Sequence, residues 1–535
     1  MRQSFRLSMQ WLHTWTGLVA GWIIFLIFFN GTAAYFRQEI TTWMKPEITA
    51  AIDPAKSVAG AVVFLKAKAP DAATWTITVP DDRYPVSDVT WQPRPKPGAP
   101  PTEEDDDERP PADRRATVDA TGRPLAARDT EGGDYFFQFH YALHYLPQFL
   151  GMVLVWFAGL GLMVALTTGV IIHRRFFAEF FTFRPRQGAR SWLDAHTTFA
   201  VLALPFHLMI TYSGVAILMF FLMPWAMFAN YSRPQTYFEM ILQRAHTPPV
   251  SGHVAPLVSV NTVLSAAEAT WNGGRAERIR VTNPGDATAT IKIDRHVAGL
   301  VAGRDASLTF NGVTGVLIRP ISEPSAASTA SSAIFSLHLA HFARPALRWL
   351  MFLCGATGTA MVASGLILWT EKRRRKLLDP RYSRCGFRLV ETLNVAVIAG
   401  YPAATAALFW ANRLLPLSIA SRANAEILCA FSFWGLSLVW SAVRPMRQAW
   451  VGVLGATALL FLLLPFVNAV TSARGTLTNL MQGDPLYIGF NLVSLTLGFM
   501  FATAALFARR RMHLPPPTLA DPDSTIGQPI LEGAE

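Results

Sequence analysis

Phe139-His140-Tyr141-Ala142-Leu143-His144-Tyr145 stands just ahead of an apolar run from 149 to 172, and Ser336-Leu337-His338-Leu339-Ala340-His341-Phe342 stands just ahead of another from 347 to 369. Towards the far end of each run come a small hydroxyl residue and a glycine, Thr168-Gly169 and Ser364-Gly365, and then a basic stop, Arg174-Arg175 and Arg373-Arg374-Arg375. The chain has duplicated a membrane helix with histidines at its mouth. The runs before these two repeat as well, because His13 precedes Gly31 by the same interval that separates His196 from Gly214. That interval is about five helical turns, so each histidine shares a stripe with its glycine about 27 Å away. Helices one and two therefore correspond to helices three and four.

Composition agrees with a membrane location. Of 535 residues 51% are hydrophobic and only 16% are charged, far more apolar than a soluble protein of this length. Runs near 11–36, 149–172, 199–223, 347–369, 389–411, 425–443, 449–470 and 486–508 are each long enough to span about 30 Å of hydrocarbon. The first is too long for a signal-peptide core and is expected to stay as an anchor. The net charge of +11 would suggest nucleic acid in a soluble chain, but here the bases sit in alternate loops. Arg2 and Arg6, the group Arg174 to Arg190, the group Lys372 to Arg388, Arg444 with Arg447, and Arg509 to Arg511 all fall on one side. The positive-inside rule makes that side, and both termini, cytoplasmic. No nucleic-acid partner is expected; the lipid bilayer is. Cys354, Cys385 and Cys429 have neither disulfide nor metal-ligand spacing.

The segments between helices one and two and between three and four are external by this topology. Each reads as a short amphipathic helix followed by strands: Val58 to Ala67 with Thr74-Trp75-Thr76-Ile77-Thr78-Val79, and Val260 to Thr270 with Arg278-Ile279-Arg280-Val281. An acidic, proline-rich insert at 93–115 is too polar to offset its ordering entropy and is expected to be disordered. The last four helices contain no histidine before His513. Their Glu391, Asn394, Glu426, Asn468 and Asn491 read as polar groups bonded between helices.

Histidines inside a bilayer need a partner, a metal or an interface. His13, His173 and His196 fall at the cytoplasmic ends of their helices, His140, His144, His338 and His341 at the outer ends, and His207 deeper on the face that carries His196. Neutral imidazoles on facing helices supply paired axial ligands for haem iron, while no acidic residue joins the outer cluster to complete a zinc centre. One b-type haem near each face is the expectation. For the outer site His144 with His341 rank first, as the residues nearest the hydrocarbon, with His140 and His338 as alternates. For the inner site symmetry favours His13 with His196, with His173 and His207 as alternates. Arg174, Arg175 and Arg190 are candidate propionate partners by charge.

These same residues carry a family likeness. Leu12-His13-Thr14-Trp15-Thr16-Gly17, the segment 139–145, Gly169 to Arg175 through Phe180-Phe181-Thr182-Phe183-Arg184-Pro185, Ser191-Trp192-Leu193-Asp194-Ala195-His196, Leu204 to Gly214 and Ser336-Leu337-His338 resemble PepSY-associated transmembrane proteins over residues 1 to about 376. That family includes iron-regulated inner-membrane proteins and ferrisiderophore reductases with two b-type haems in a four-helix unit. The resemblance implies an inner-membrane protein with PepSY-like modules in the periplasm.

The expected fold is an all-α polytopic membrane protein of eight helices. The first is residues 1–36, and a PepSY-like module occupies 37–146. Helices two and three occupy 147–223, a second module 224–343, helix four and its basic stop 344–376, four further helices 377–512 and a tail 513–535. The expected function is electron transfer to a ferric siderophore or ferric iron. The cytoplasmic loops hold no Gly-x-Gly-x-x-Gly turn, so quinol or a cytoplasmic reductase is the expected donor. A permease or a PepSY-type regulator of periplasmic proteins are the competing classes; neither needs paired histidines.

Overall fold

The computed structural model describes residues 3–48, 53–94, 110–173, 183–230 except 186, 249–296, 307–318, 326–374 and 384–512 except 473, 475–480 and 482. Most of the acidic insert, Arg174, Arg175 and the tail lie outside that set. In chain order the elements are α1 (Gln3–Ala34), α2 (Arg37–Met44), α3 (Pro54–Lys68), β1 (Ala72–Thr78), β2 (Ser87–Pro93), β3 (Arg115–Val118), α4 (Asp134–Ala142), α5 (Gln148–Ile172), α6 (Ala189–Leu202) and α7 (Leu204–Leu222). There follow α8 (Trp225–Asn230), α9 (Val260–Thr270), β4 (Ala276–Thr282), β5 (Thr290–Arg295), β6 (Ser307–Asn311), α10 (Ala326–Leu339), α11 (Pro345–Arg374), α12 (Arg384–Val395), α13 (Tyr401–Leu414), α14 (Arg422–Val443), α15 (Met446–Thr471) and α16 (Pro485–Met512). Among the described residues eight helices are long and apolar enough to cross a membrane; α12 and α13 together make the fifth.

Four of the spans form the first unit. α1 packs on α5 and α11, α6 on α11, and α7 on α5. The third span is broken rather than continuous: α6 ends at Leu202 and α7 begins at Leu204 with Pro205 in its first turn, where a missing N–H costs nothing. The fifth span is the most buried of the eight and joins this unit to α14, α15 and α16. Proline is accommodated inside α15 by a neighbour. Pro465 has no N–H to give to the Phe461 carbonyl, and Ser494 Oγ on α16 donates to that carbonyl at 2.7 Å instead.

The segments between spans one and two and between spans three and four share one sheet. Their strands make one antiparallel sheet in the order β3-β2-β1-β4-β5-β6, joined at its centre by β1 and β4 with Trp75 opposite Val281 and Ile77 opposite Ile279. Alone, each three-stranded half would leave an apolar edge unpaired; pairing β1 with β4 removes both edges at once. The alternation of the strands puts Trp75, Ile77, Ile279, Val281, Ile291 and Ile293 on one face, where Val58 and Leu65 of α3 and Val263 and Leu264 of α9 cover them in a single core. Asp53 starts α3 by accepting from Lys56 N at 3.1 Å, with Pro54 next to it.

Candidate functional site

The sheet lies at one end of the first unit and the basic loops at the other, and a histidine pair stands near each end. On the loop side, the rings of His13 (α1) and His196 (α6) have centroids 6.1 Å apart and planes at 73°. His13 Nδ1 lies 2.9 Å from Ala165 O and 3.3 Å from Thr168 Oγ1, and His196 Nδ1 lies 2.8 Å from Met361 O. A carbonyl only accepts, so Nδ1 carries the proton in both rings and Nε2 keeps its lone pair.

On the sheet side, His140 (α4) and His338 (α10) have centroids 5.8 Å apart and planes at 35°. His140 Nδ1 donates to Ile27 O at 2.8 Å. His338 Nδ1 lies 3.0 Å from Ser213 Oγ and also bonds the Ile210 carbonyl. Ser213 gives its own proton to Met209 O at 2.7 Å, so its oxygen accepts from the imidazole. Burial lowers the pKa of His140; burial and the adjoining His140 push His338 down to about 3. Both rings are neutral at ordinary pH, the form that ligates a metal.

One device recurs in all four places. The carbonyls that hold the rings belong to Ala165, Met361, Ile27 and Ile210, each four residues before a glycine: Gly169, Gly365, Gly31 and Gly214. In a helix the Cβ of a residue leans back over the preceding turn, so a side chain at these positions would cover the carbonyl the imidazole uses. A Cβ on Gly31 would fall 2.6 Å from His140 and one on Gly214 2.8 Å from His338. On Gly365 it would fall 3.0 Å from His196, and on Gly169 3.3 Å from His13. Each of the four central helices thus offers a glycine platform to a histidine on another helix. Gly31 and Gly214 were visible in the sequence as stripe partners of His13 and His196, and Gly169 and Gly365 as glycines near the far ends of the duplicated runs; their contact with other histidines was not.

The remaining candidates lie elsewhere. His144 is half-buried against Tyr145, Phe431 and Tyr135, at 4.3, 5.6 and 6.1 Å, and His341 is exposed. Among the described residues no ring contact joins those two; the rings that meet at this end are those of His140 and His338. The physical reason is that α4 and α10 are short separate helices. The chain turns sharply after each, with Leu143 and Ala340 at φ 55° and 54°, and this directs His140 and His338 into the unit while His144 and His341 stay in the turns. A signal was present in the sequence: His140 and His338 stand equally far before the prolines that open the next spans, Pro147 and Pro345, and His144 and His341 do not. His207 is buried between helices, its Nε2 3.3 Å from both Cys354 O and Thr357 Oγ1, and the edge of Phe28 meets it at 5.9 Å. His173 ends α5, its amide 3.0 Å from Gly169 O. Arg190 lines a cavity of about 420 Å³ with Arg184, Asp194, Lys372 and Thr197, the residue after His196. Among the described residues no three His, Cys, Asp or Glu side chains gather as a metal cluster; the imidazoles meet in twos.

Residues 10–372 match the family model described as the PepSY-associated TM region. The chain belongs to the PepSY-associated transmembrane family. The match covers both histidine pairs and all four glycine platforms and stops before the appended spans. An uncharacterized protein of Pseudomonas aeruginosa is 26% identical over 285 residues, covering 50% of this chain and 70% of that protein. Membership makes this a multi-pass membrane protein, and α12 to α16 add four candidate spans beyond the matched region.

Proposed function

We propose that this family member carries electrons across the bacterial inner membrane and reduces a ferric siderophore or ferric iron in the periplasm. Two b-type haems would be held, one by His13 and His196 near the cytoplasmic face and the other by His140 and His338 near the periplasmic face. The observation that carries this reading is the pair geometry. Two imidazoles on opposite sides of one iron, each with a bond of about 2 Å and a ring radius of about 1.1 Å, have centroids about 6 Å apart. The observed 6.1 and 5.8 Å fit that requirement. So does the protonation pattern, because every Nδ1 is committed to a helix carbonyl or hydroxyl and every Nε2 is left to ligate.

Held by these histidines, haem would supply reversible one-electron chemistry. The chain supplies the rest. The Nδ1 bonds fix the ring orientations and raise the basicity of the ligating nitrogens. Leu18, Phe25, Phe28, Leu162 and Leu166 keep the core between the two pairs dry. At the loop side Arg190 and Lys372 offer cations to an acidic group beside His196. Ferric iron binds hard oxygen ligands more tightly than ferrous iron, so a one-electron reduction loosens the chelate. Quinol or a cytoplasmic reductase is the proposed donor.

The test is a reduced-minus-oxidised spectrum of the purified chain, followed by addition of a ferric hydroxamate chelate. Dithionite-reduced b-type bands that disappear as a ferrous trap takes up iron are the expected result. A folded, colourless preparation made with ample haem supply overturns the proposal.

A further inference from the structure

The four spans that the family match leaves out have a buried residue at each histidine layer, and both residues lie on the fifth span. Tyr401, 1% exposed, donates from its hydroxyl to Asn30 Oδ1 at 2.7 Å and lies 3.4 Å from the Tyr135 hydroxyl, which donates to it in turn. Its ring packs on Phe139 at 5.4 Å. Asn30 adjoins Gly31, the platform of His140; Phe139 adjoins His140 itself, and Tyr135 lies in the same helix. Asn394, 1% exposed, accepts from Trp22 Nε1 at 2.9 Å and donates to Leu366 O at 3.2 Å. Leu366 adjoins Gly365, the platform of His196, and a Cβ on Gly21 would fall 2.8 Å from the Leu366 side chain.

The helix that carries these two residues is itself held from behind. Between α12 and α13 the chain makes a wide π turn over Ala396–Gly400, next to Pro402, which has no N–H to return to that turn. Two carbonyls of that turn find partners in the appended unit: Trp434 Nε1 donates to Ala396 O at 2.8 Å and Thr457 Oγ1 to Ala399 O at 3.0 Å. Two further links tie the ends of the span to the first unit, Arg374 to Glu391 at 2.8 Å and Arg413 Nη2 to Trp43 O at 2.6 Å. The end links hold one unit to the other. The two central ones fall on the platforms of His196 and His140.

We infer that the appended unit is a brace for the two histidine sites, with Tyr401 a positioning residue for His140 and Asn394 a positioning residue for His196. Tyr401 ties the helix that bears His140 to the helix that bears its glycine, so loss of the hydroxyl frees α4 to move against α1. Asn394 ties the backbone beside Gly365 to α1, which carries the facing His13. Rigid support behind a pair is what sets its geometry to within a fraction of an ångström. The inference rests on the histidine pairs assigned above, and its test does not require haem to be present.

The experiment is diethylpyrocarbonate labelling of the full chain in detergent, read histidine by histidine by mass spectrometry, in wild type, Tyr401→Phe, Asn394→Ala and Trp22→Phe. Tyr401→Phe keeps the ring and its packing and removes only the hydroxyl. It is expected to raise labelling of His140 about fivefold, the population ratio that one neutral hydrogen bond controls, and to leave His13 and His196 unchanged. Asn394→Ala and Trp22→Phe are expected to raise His196 and leave His140. Unchanged labelling of the facing histidine, or an equal rise at all four, overturns the brace. A wild type without haem would fail the electron-transfer reading and still show this contrast; a haem-loaded wild type whose variants label alike would fail the brace alone.

Discussion

His140 and His338 face each other across the sheet end of the first unit with ring centroids 5.8 Å apart, while His144, a few residues further along, packs on Phe431 at 5.6 Å. Under the proposed assignment, replacing either member of the facing pair with alanine would remove one haem ligand, and replacing His144 would remove none. His140→Ala and His338→Ala are therefore expected to lose the sheet-side centre and keep the other, whereas His144→Ala keeps both. The measurement is the low-temperature reduced spectrum of each variant. Loss of a centre with His144→Ala and not with His140→Ala would restore the pairing that depth along the sequence suggests.

The two pairs differ in the angle between their imidazole planes, 73° for His13 with His196 and 35° for His140 with His338. Near-perpendicular planes give a highly anisotropic low-spin ferric signal, and planes closer to parallel give a rhombic one. Electron paramagnetic resonance of the oxidised protein is expected to show one of each, with the anisotropic signal lost in His13→Ala and the rhombic one lost in His140→Ala. Two signals of the same type would contradict the assignment.

The platforms are not equally tight. A Cβ on Gly31 would meet His140 at 2.6 Å, and one on Gly169 would meet His13 at 3.3 Å. Gly31→Ala must displace the imidazole, at an overpacking cost of about 1–3 kcal/mol, and is expected to lower occupancy of the sheet-side centre severalfold. Gly169→Ala needs a shift of only a few tenths of an ångström and is expected to keep both centres. Haem content of the two variants, measured at equal protein concentration, decides between this gradient and a uniform effect.

Span positions and the approach of His13 to His196 were legible in the sequence because each rests on a local pattern: hydrophobic runs, basic stops and equal His-to-Gly intervals. The union of the two external segments was not, because Trp75 opposite Val281 and Ile77 opposite Ile279 are contacts between distant strands, and the alternation of each strand fixes a face but not a partner. The approach of His140 to His338 was not legible for a related reason. Depth along a continuous helix does not give position where the chain reverses, as it does at Leu143 and Ala340 in left-handed backbone. The role of the appended spans was the least legible part, since Asn394 and Tyr401 are ordinary buried residues until Asn30, Trp22 and Leu366 are seen beside them.

The single sheet has a consequence for stability. Ile279 is fully buried and lies opposite Ile77, so Ile279→Ala is expected to cost about 2–5 kcal/mol and to loosen both halves together. Hydrogen exchange should show faster exchange in β1 as well as in β4 and β5. An effect confined to residues 276–311 would mean that the halves are independent modules.

The account stands most directly on the number of haems per chain. The pyridine haemochromogen assay on purified protein is expected to give two haem b groups per chain for wild type and one for His13→Ala or His140→Ala. The double variant His13→Ala with His140→Ala is expected to give none. A double variant that retains the wild-type haem content, or a wild type that binds none when haem is plentiful, would contradict it.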